Sequence, residues 1–139
     1  SFDTKVALWD VTDRRAPRAL PSIIGLGAGV NSIEFSSDGR LMAAGVGGAN
    51  GVVRLWDMSD PADPVPYATF SGRYNGFAAV AFAPDTAFIV GAPYQVIGFV
   101  WDLDPASVVT RLCARAGDPL TREEWKQYLP GLDYDPPCG

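Results

Sequence analysis

The pair Trp-Asp occurs three times, each time closing a short apolar run: Val6-Ala7-Leu8-Trp9-Asp10, Val53-Arg54-Leu55-Trp56-Asp57 and Gly98-Phe99-Val100-Trp101-Asp102. Successive pairs stand 47 and 45 residues apart. A near-constant spacing of this length means that one supersecondary unit is repeated along the chain. That period constrains the fold more than any other property of the sequence. It says little about chemistry.

Aligned on their Trp-Asp ends, two full repeats run from about Arg18 to Asp57 and from about Pro66 to Asp102. Each has a Gly-containing loop and then an alternating strand, Val30 to Phe35 in the first and Phe77 to Phe82 in the second. In the first, Val30, Ser32 and Glu34 share one face and Asn31, Ile33 and Phe35 the other, as a period of two requires. A turn follows each time, Ser36-Ser37-Asp38-Gly39 and Ala83-Pro84-Asp85-Thr86. Gly after Asp supplies a positive φ in the first, and Pro presets φ in the second. Next come the small-residue strands Leu41 to Gly45 and Phe88 to Ala92, then a loop and the Trp-Asp strand. A fourth strand, Ala19 to Ile24 or Tyr67 to Phe70, precedes each Gly loop. Four short antiparallel strands per repeat make one propeller blade. The expected fold is therefore all-β: about two complete four-stranded blades plus one strand of a third.

Composition agrees. Charged residues make up only 19% of the chain, while Gly (15) and Pro (12) are abundant, which suits short strands and many turns. The formal charge of −5 argues against a nucleic-acid partner, since a phosphate backbone rewards clustered Lys and Arg. Arg14, Arg15 and Arg18 do cluster, but Asp10 and Asp13 stand beside them, so they read as a solvated loop. No segment approaches the roughly 20 uninterrupted apolar residues of a membrane helix, and no membrane insertion is expected. The opening Ser1-Phe2-Asp3-Thr4-Lys5 carries no signal-peptide pattern and starts in mid-repeat, which suggests a partial chain.

The Trp-Asp endings and their Asp turns resemble the WD-repeat β-propeller family over residues 1 to about 104. The resemblance implies a non-enzymatic protein-interaction scaffold. In that family a blade often opens with Gly-His, and the His joins a buried polar network with an Asp ahead of the Trp strand. Here Gly25-Leu26 and Gly72-Arg73 stand at the first place, and Gly48 to Gly51 and Tyr94 to Val96 at the second. Both companions are absent, so the blades are expected to rest on apolar packing of Trp56 and Trp101. A closed ring takes roughly four to eight blades. The remainder is expected from upstream blades of the same protein or from copies that assemble as a homo-oligomer.

The tail, residues 105–139, differs in kind. Asp104-Pro105 opens a helix, Val108, Val109, Leu112, Cys113 and Ala116 recur at spacings of three and four, and Gly117 stops it. A second helix starts at Thr121, paired with Glu124 in a capping box, with Trp125, Tyr128 and Leu129 as its apolar stripe. A Pro-rich strap from Leu132 to Gly139 follows. Cys113 and Cys138 are the only cysteines, and two readings stand: a disulfide closed by the strap, or two reduced thiols. The expected compartment is the cytoplasm, with an extracytoplasmic one as the alternative if Cys113 and Cys138 form a disulfide. The stretches Leu112 to Gly117, Leu120 to Trp125 and Tyr128 to Gly131 also resemble tails of WD-repeat proteins from high-GC bacteria, many with an upstream signalling NTPase or kinase-like domain. That resemblance implies a sensor or scaffold, or the regulatory part of such a chain, although no phosphate-binding Gly-Lys loop lies in these residues.

No catalytic, metal or cofactor residues are expected. The chain has no His, which removes the commonest general base and metal ligand. Asp10, Asp57 and Asp102 occupy equivalent places in successive repeats and read as strand-end residues bonding turn amides. Asp60 and Asp63 lack the ligand spacing of a calcium loop. Gly45 to Gly51 lies between two strands with no helix after it, so it reads as a hairpin rather than a phosphate cradle. The candidate interaction residues are Arg73, Tyr74 and Asn75 in one loop and Tyr94 and Gln95 in another, since Arg and Tyr tend to anchor protein interfaces. The expected partner is a protein.

Overall fold

The computed structural model describes residues 3–49, 51–71, 76–94, 98–117, 120–136 and 138. Among these residues nine strands and two helices follow one another: β1 (Val6–Asp10), β2 (Arg18–Ile23), β3 (Val30–Phe35), β4 (Leu41–Val46), β5 (Val52–Asp57), β6 (Val65–Ser71), β7 (Phe77–Phe82), β8 (Phe88–Pro93), β9 (Phe99–Asp102), α1 (Pro105–Ala116) and α2 (Arg122–Tyr128). The contacts divide the chain into two compact units, Ser1–Trp101 and Asp102–Gly139. The Asp102 carboxylate bonds forward into α1, accepting from the Ser107 hydroxyl at 2.6 Å.

In the first unit the strands form three antiparallel sheets in the orders β1-β2, β3-β4-β5-β6 and β7-β8-β9. Nine strands are two sets of four plus one, as the repeats require. Hydrogen bonding, however, offsets the sheets from the sequence repeats by one strand. The first strand of each repeat, β2 or β6, pairs backwards with the preceding Trp-Asp strand: Trp9 stands opposite Ala19, and Leu55 opposite Ala68. Alternation breaks where β3 shifts register between Val30 and Ser32, and β7 repeats the shift between Phe77 and Ala79. Each shift is a bulge that re-aims the strand's start.

β4 explains the small-residue strand. It lies between β3 and β5, and Met42, Ala43, Ala44 and Val46 are all buried, so both of its faces are covered. One face joins Val6, Leu8, Leu26, Val30, Trp56 and Met58 in the core beneath the β1-β2 sheet. The other meets the third sheet. Gly45 approaches Phe77, and Asn31 Nδ2 donates to the Phe77 carbonyl at 2.9 Å. Within the third sheet Phe77 meets Trp101 edge-on at 5.6 Å between ring centroids, and Phe70 of β6 stacks on Trp101 at 5.1 Å. Trp56 is 4% exposed and Trp101 partly buried, whereas Trp9 is 57% exposed, because no strand covers its side of β1 among the described residues.

The second unit is built around Trp125, the one buried residue of α2. Its Nε1 donates to the Leu132 carbonyl at 3.3 Å, and the Tyr134 ring meets it edge-on at 5.7 Å. The capping box forms: Thr121 N donates to Glu124 Oε2, and Glu124 N donates to Thr121 Oγ1. The structure joins Cys113 to Cys138, with the Cα atoms 5.2 Å apart. Two expectations about the helices need correction. Tyr128 is 64% exposed, because a seven-residue helix turns only one large side chain inward. On α1 the stripe is not buried within the described residues, and Leu112 is 62% exposed.

Candidate interaction surface

The three Trp-Asp carboxylates do the same structural work. Each accepts at Oδ1 from the backbone N–H two residues on: Thr12 to Asp10 at 2.9 Å, Ser59 to Asp57 at 2.8 Å, and Asp104 to Asp102 at 2.9 Å. Each therefore seals the exit of its strand with an Asx turn. Hydrogen bonds from Thr12, and then the Arg18 guanidinium at 2.7 Å, hold Asp10 well below the usual carboxylate range. Ser59 lowers Asp57 in the same way. The Asp102 carboxylate is only 4% exposed and is held down first by the Ser107 hydroxyl at 2.6 Å, then by the Asp104 amide and Arg111. Every one of these carboxylates is ionised and engaged. Such groups shape a surface; none is poised to exchange a proton near neutral pH.

The turns that close β3-β4 and β7-β8 lie side by side. Gly39 supplies φ +73° in the first, and Thr86 takes φ +61° at the equivalent place in the second. Ser36 is buried at the start of the first turn, and its hydroxyl donates to Asp38 Oδ1 at 2.6 Å, which lowers the Asp38 pKa. Ser37 Oγ donates to the Pro84 carbonyl at 3.0 Å and stands 3.3 Å from Thr86 Oγ1. Adjacent sheets are thus tied together at this rim. At the opposite ends of these strands, a Cβ on Gly51 would run into the backbone of Gly76, so the two sheets approach too closely there for a side chain.

Of the candidate interaction residues, Tyr94 follows β8 and is 64% exposed. Arg73, Tyr74, Asn75 and Gln95 lie outside the described residues. Cys113 and Cys138 are disulfide-bonded. Among the described residues no group of three or more Cys, Asp or Glu side chains gathers to hold a metal ion. No helix there is long and apolar enough to cross a membrane.

Sequence reasoning missed two surfaces. The first is the apolar face of the third sheet, with Phe88, Val90 and Val100 at 40%, 38% and 64% exposure. The second is a groove of about 410 Å³ between β2 and β6, floored by Arg54. The signal for the groove was present: Arg54 is the only charged residue at its repeat position, where the other two strands carry Ala7 and Phe99.

Residues 22–57, from the end of β2 through β5, match the family model described as WD domain, G-beta repeat. The chain is 32% identical over 108 residues, 72% of its length, to Protein transport protein SEC31 of Dictyostelium discoideum. It is 24% identical over 127 residues, 91% of its length, to the Ribosome biogenesis protein WDR12 homologs of Oryza sativa subsp. japonica and Arabidopsis thaliana. It spans 8% of the first relative and 28% of each of the other two. These matches support a WD-repeat family for the chain, and WD repeats indicate an interaction scaffold.

Proposed function

We propose that the chain is a non-enzymatic protein-interaction module that forms the C-terminal part of a larger WD-repeat propeller. The observation that carries this reading is a contrast between equivalent faces. The face of the second sheet that holds Ala43 and Leu55 is buried, whereas the matching face of the third sheet leaves Val90 and Val100 exposed. A contiguous apolar sheet face of this kind is a surface made to be covered. A photo-crosslinking residue at Val100 tests it. Crosslinks to a further WD-repeat segment or to a partner protein are expected; no adduct overturns the reading.

Self-assembly is the second reading, favoured because the same chain also leaves Trp9 exposed at its other end. Light scattering separates the two: a single closed oligomer supports self-assembly, and a monomer supports the larger propeller. We further assign partner contact to Arg73 and Tyr74, between β6 and β7 in sequence, with Asn75, Tyr94 and Gln95. Their replacement by Ala should weaken partner capture and leave the melting temperature unchanged. A fall in stability would instead make them packing residues. The tail's resemblance to those of bacterial WD-repeat signalling chains extends the proposal to a sensor or scaffold role, and the Cys113–Cys138 bond favours an oxidising compartment.

A further inference from the structure

The groove between β2 and β6 differs from the other open surfaces of the first unit. Trp9 and Val100 are exposed on sides where no strand lies among the described residues, but both walls of this groove are present. Ile23 ends β2 and Ile24 follows it, Tyr67 and Thr69 come from β6, and Arg54 on β5 completes the lining. β3 and β4 meet the next sheet at β7, so β6 is the opposite, outer edge of its sheet and carries no further strand among the described residues. Neither open face, at Trp9 or at Val100, is part of this groove.

Three observations define what it takes. First, the interval between the second and third sheets is filled where this one is open. There Phe70 stacks on Trp101; here Ile23, which stands opposite Val6 as Phe70 stands opposite Val53, leaves a gap beside Trp56. Second, Arg54 is half-buried and underused. Among the described residues its Nη1 donates only to the Gly25 carbonyl at a long 3.4 Å, its Nε has no acceptor, and no ion pair involves it. A guanidinium carries five N–H donors, and leaving them unmatched in a half-buried site is costly. Third, no carboxylate among the described residues lines the groove, and Ile24 and Tyr67 stand 75% and 52% exposed beside the cation. An uncommitted guanidinium flanked by apolar surface, beside a free strand edge, fits one chemistry: an extended peptide with an acidic side chain between apolar neighbours.

We infer that the β2-β6 groove is a docking site for an extended acidic peptide segment of a partner protein, with Arg54 as its specificity-determining residue. The peptide lies along β6, its carboxylate takes the free N–H groups of Arg54, and its apolar residues cover Ile24 and Tyr67. The chain's overall charge of −5 gives an acidic partner no long-range attraction, so recognition rests on the short-range charged hydrogen bond. This assignment rests on the interaction-module reading and narrows it to one place and one class of partner.

The test uses the 139-residue chain and a library of end-blocked pentapeptides. The central position is Asp, Glu, Asn or Gln, and the flanking positions are Val, Ile, Thr or Tyr. Peptides with a central acid should bind about tenfold tighter than their amide counterparts. They should also shift the Arg54 Nε–H resonance, and their advantage should shrink at high salt. Arg54→Gln should abolish the preference, and Arg54→Lys should keep part of it. Ile24→Ala should weaken acid and amide peptides alike. Equal binding of acid and amide peptides, or a preference that survives Arg54→Gln, overturns the assignment. If Arg54→Gln fails to fold, the acid-to-amide ratio on the parent chain and on Arg54→Lys decides. Loss of this site while Val100 still crosslinks to a partner would sink the groove assignment and leave the interaction module standing.

Discussion

Gly91 of β8 lies directly beneath the Trp101 indole: a Cβ at residue 91 would come within 2.7 Å of Trp101 Cζ3 and 3.0 Å of the Phe77 ring. The third sheet therefore packs its aromatic cluster against bare backbone. Gly91→Ala should displace Trp101 and cost about 1–3 kcal/mol, the usual penalty for overpacking a filled core. Gly98→Ala is the control, since its Cβ meets nothing closer than 3.4 Å. Thermal melts followed by Trp fluorescence distinguish them, and equal melting temperatures would show that the ring has room to move.

Trp56 and Trp9 occupy the same repeat position with opposite exposure, 4% against 57%. Trp56→Ala should cost about 3–5 kcal/mol through the cavity it leaves. Trp9→Ala should cost well under half as much in the isolated chain. Chemical denaturation of both variants measures the gap, and similar losses would mean that Trp9 is covered in solution.

Thr86 stands at φ +61°, a region β-branched residues avoid, where the equivalent turn uses Gly39. Thr86→Gly removes the strain but also removes the hydroxyl that faces Ser37. Relief of strain is of order 1 kcal/mol and an exposed hydroxyl contact is worth less, so the variant should melt higher. A lower melting temperature, together with an insensitive Ser37→Ala variant, would contradict that balance.

Acid should destabilise the first unit. Hydrogen bonds from Ser59 hold Asp57 below its ordinary 3.8 in the folded chain, and Asp10 and Asp38 are lowered in the same direction. The folded state thus binds fewer protons than the unfolded state as the pH falls past that value. The contribution is fully present above the unfolded pKa and is lost as the pH drops through the folded one. Melting temperature should be flat above about pH 5 and fall below it, with a shallower slope in Asp57→Asn. A rise on acidification would refute the assignment.

The disulfide closes a 25-residue separation in a unit too small to rely on its core alone. Its loss through Cys138→Ser should cost the second unit about 3 kcal/mol. Trp125 fluorescence should shift towards that of an exposed indole on treatment with a thiol reductant. An unchanged spectrum would show that the capping box and the Leu132 hydrogen bond suffice.

Strand identity was legible because alternation and turn chemistry agree locally: Asp38-Gly39 closes β3 to β4, and the Trp-Asp pair ends β5. The grouping of strands into sheets was not, because a repeat aligned on its Trp-Asp end contains no mark of which neighbour its first strand will join. The bulges at Val30 and Phe77 were equally silent, since they arise from tertiary aim rather than residue type. In the tail the caps at Asp104 and Thr121 could be read directly, whereas helical spacing on α1 signals an apolar face without saying what covers it. Arg54 shows the reverse case. Its anomaly is visible in the aligned repeats, but its meaning needs the groove that β2 and β6 build around it.

The one-strand offset between repeat and sheet also bears on how such a chain is cut, copied or recombined. An excision just after Asp57, at the apparent end of a repeat, would strip β6 from its partner and leave β5 as a raw edge. A cut between Ser71 and Phe77 keeps the sheet whole. Duplicating a repeat, by contrast, always lends one strand to the sheet before it and borrows one from the repeat after it. Growth of the array therefore splices new material into existing sheets instead of adding a free-standing piece, and the natural unit of inheritance and the natural unit of stability are different segments of chain.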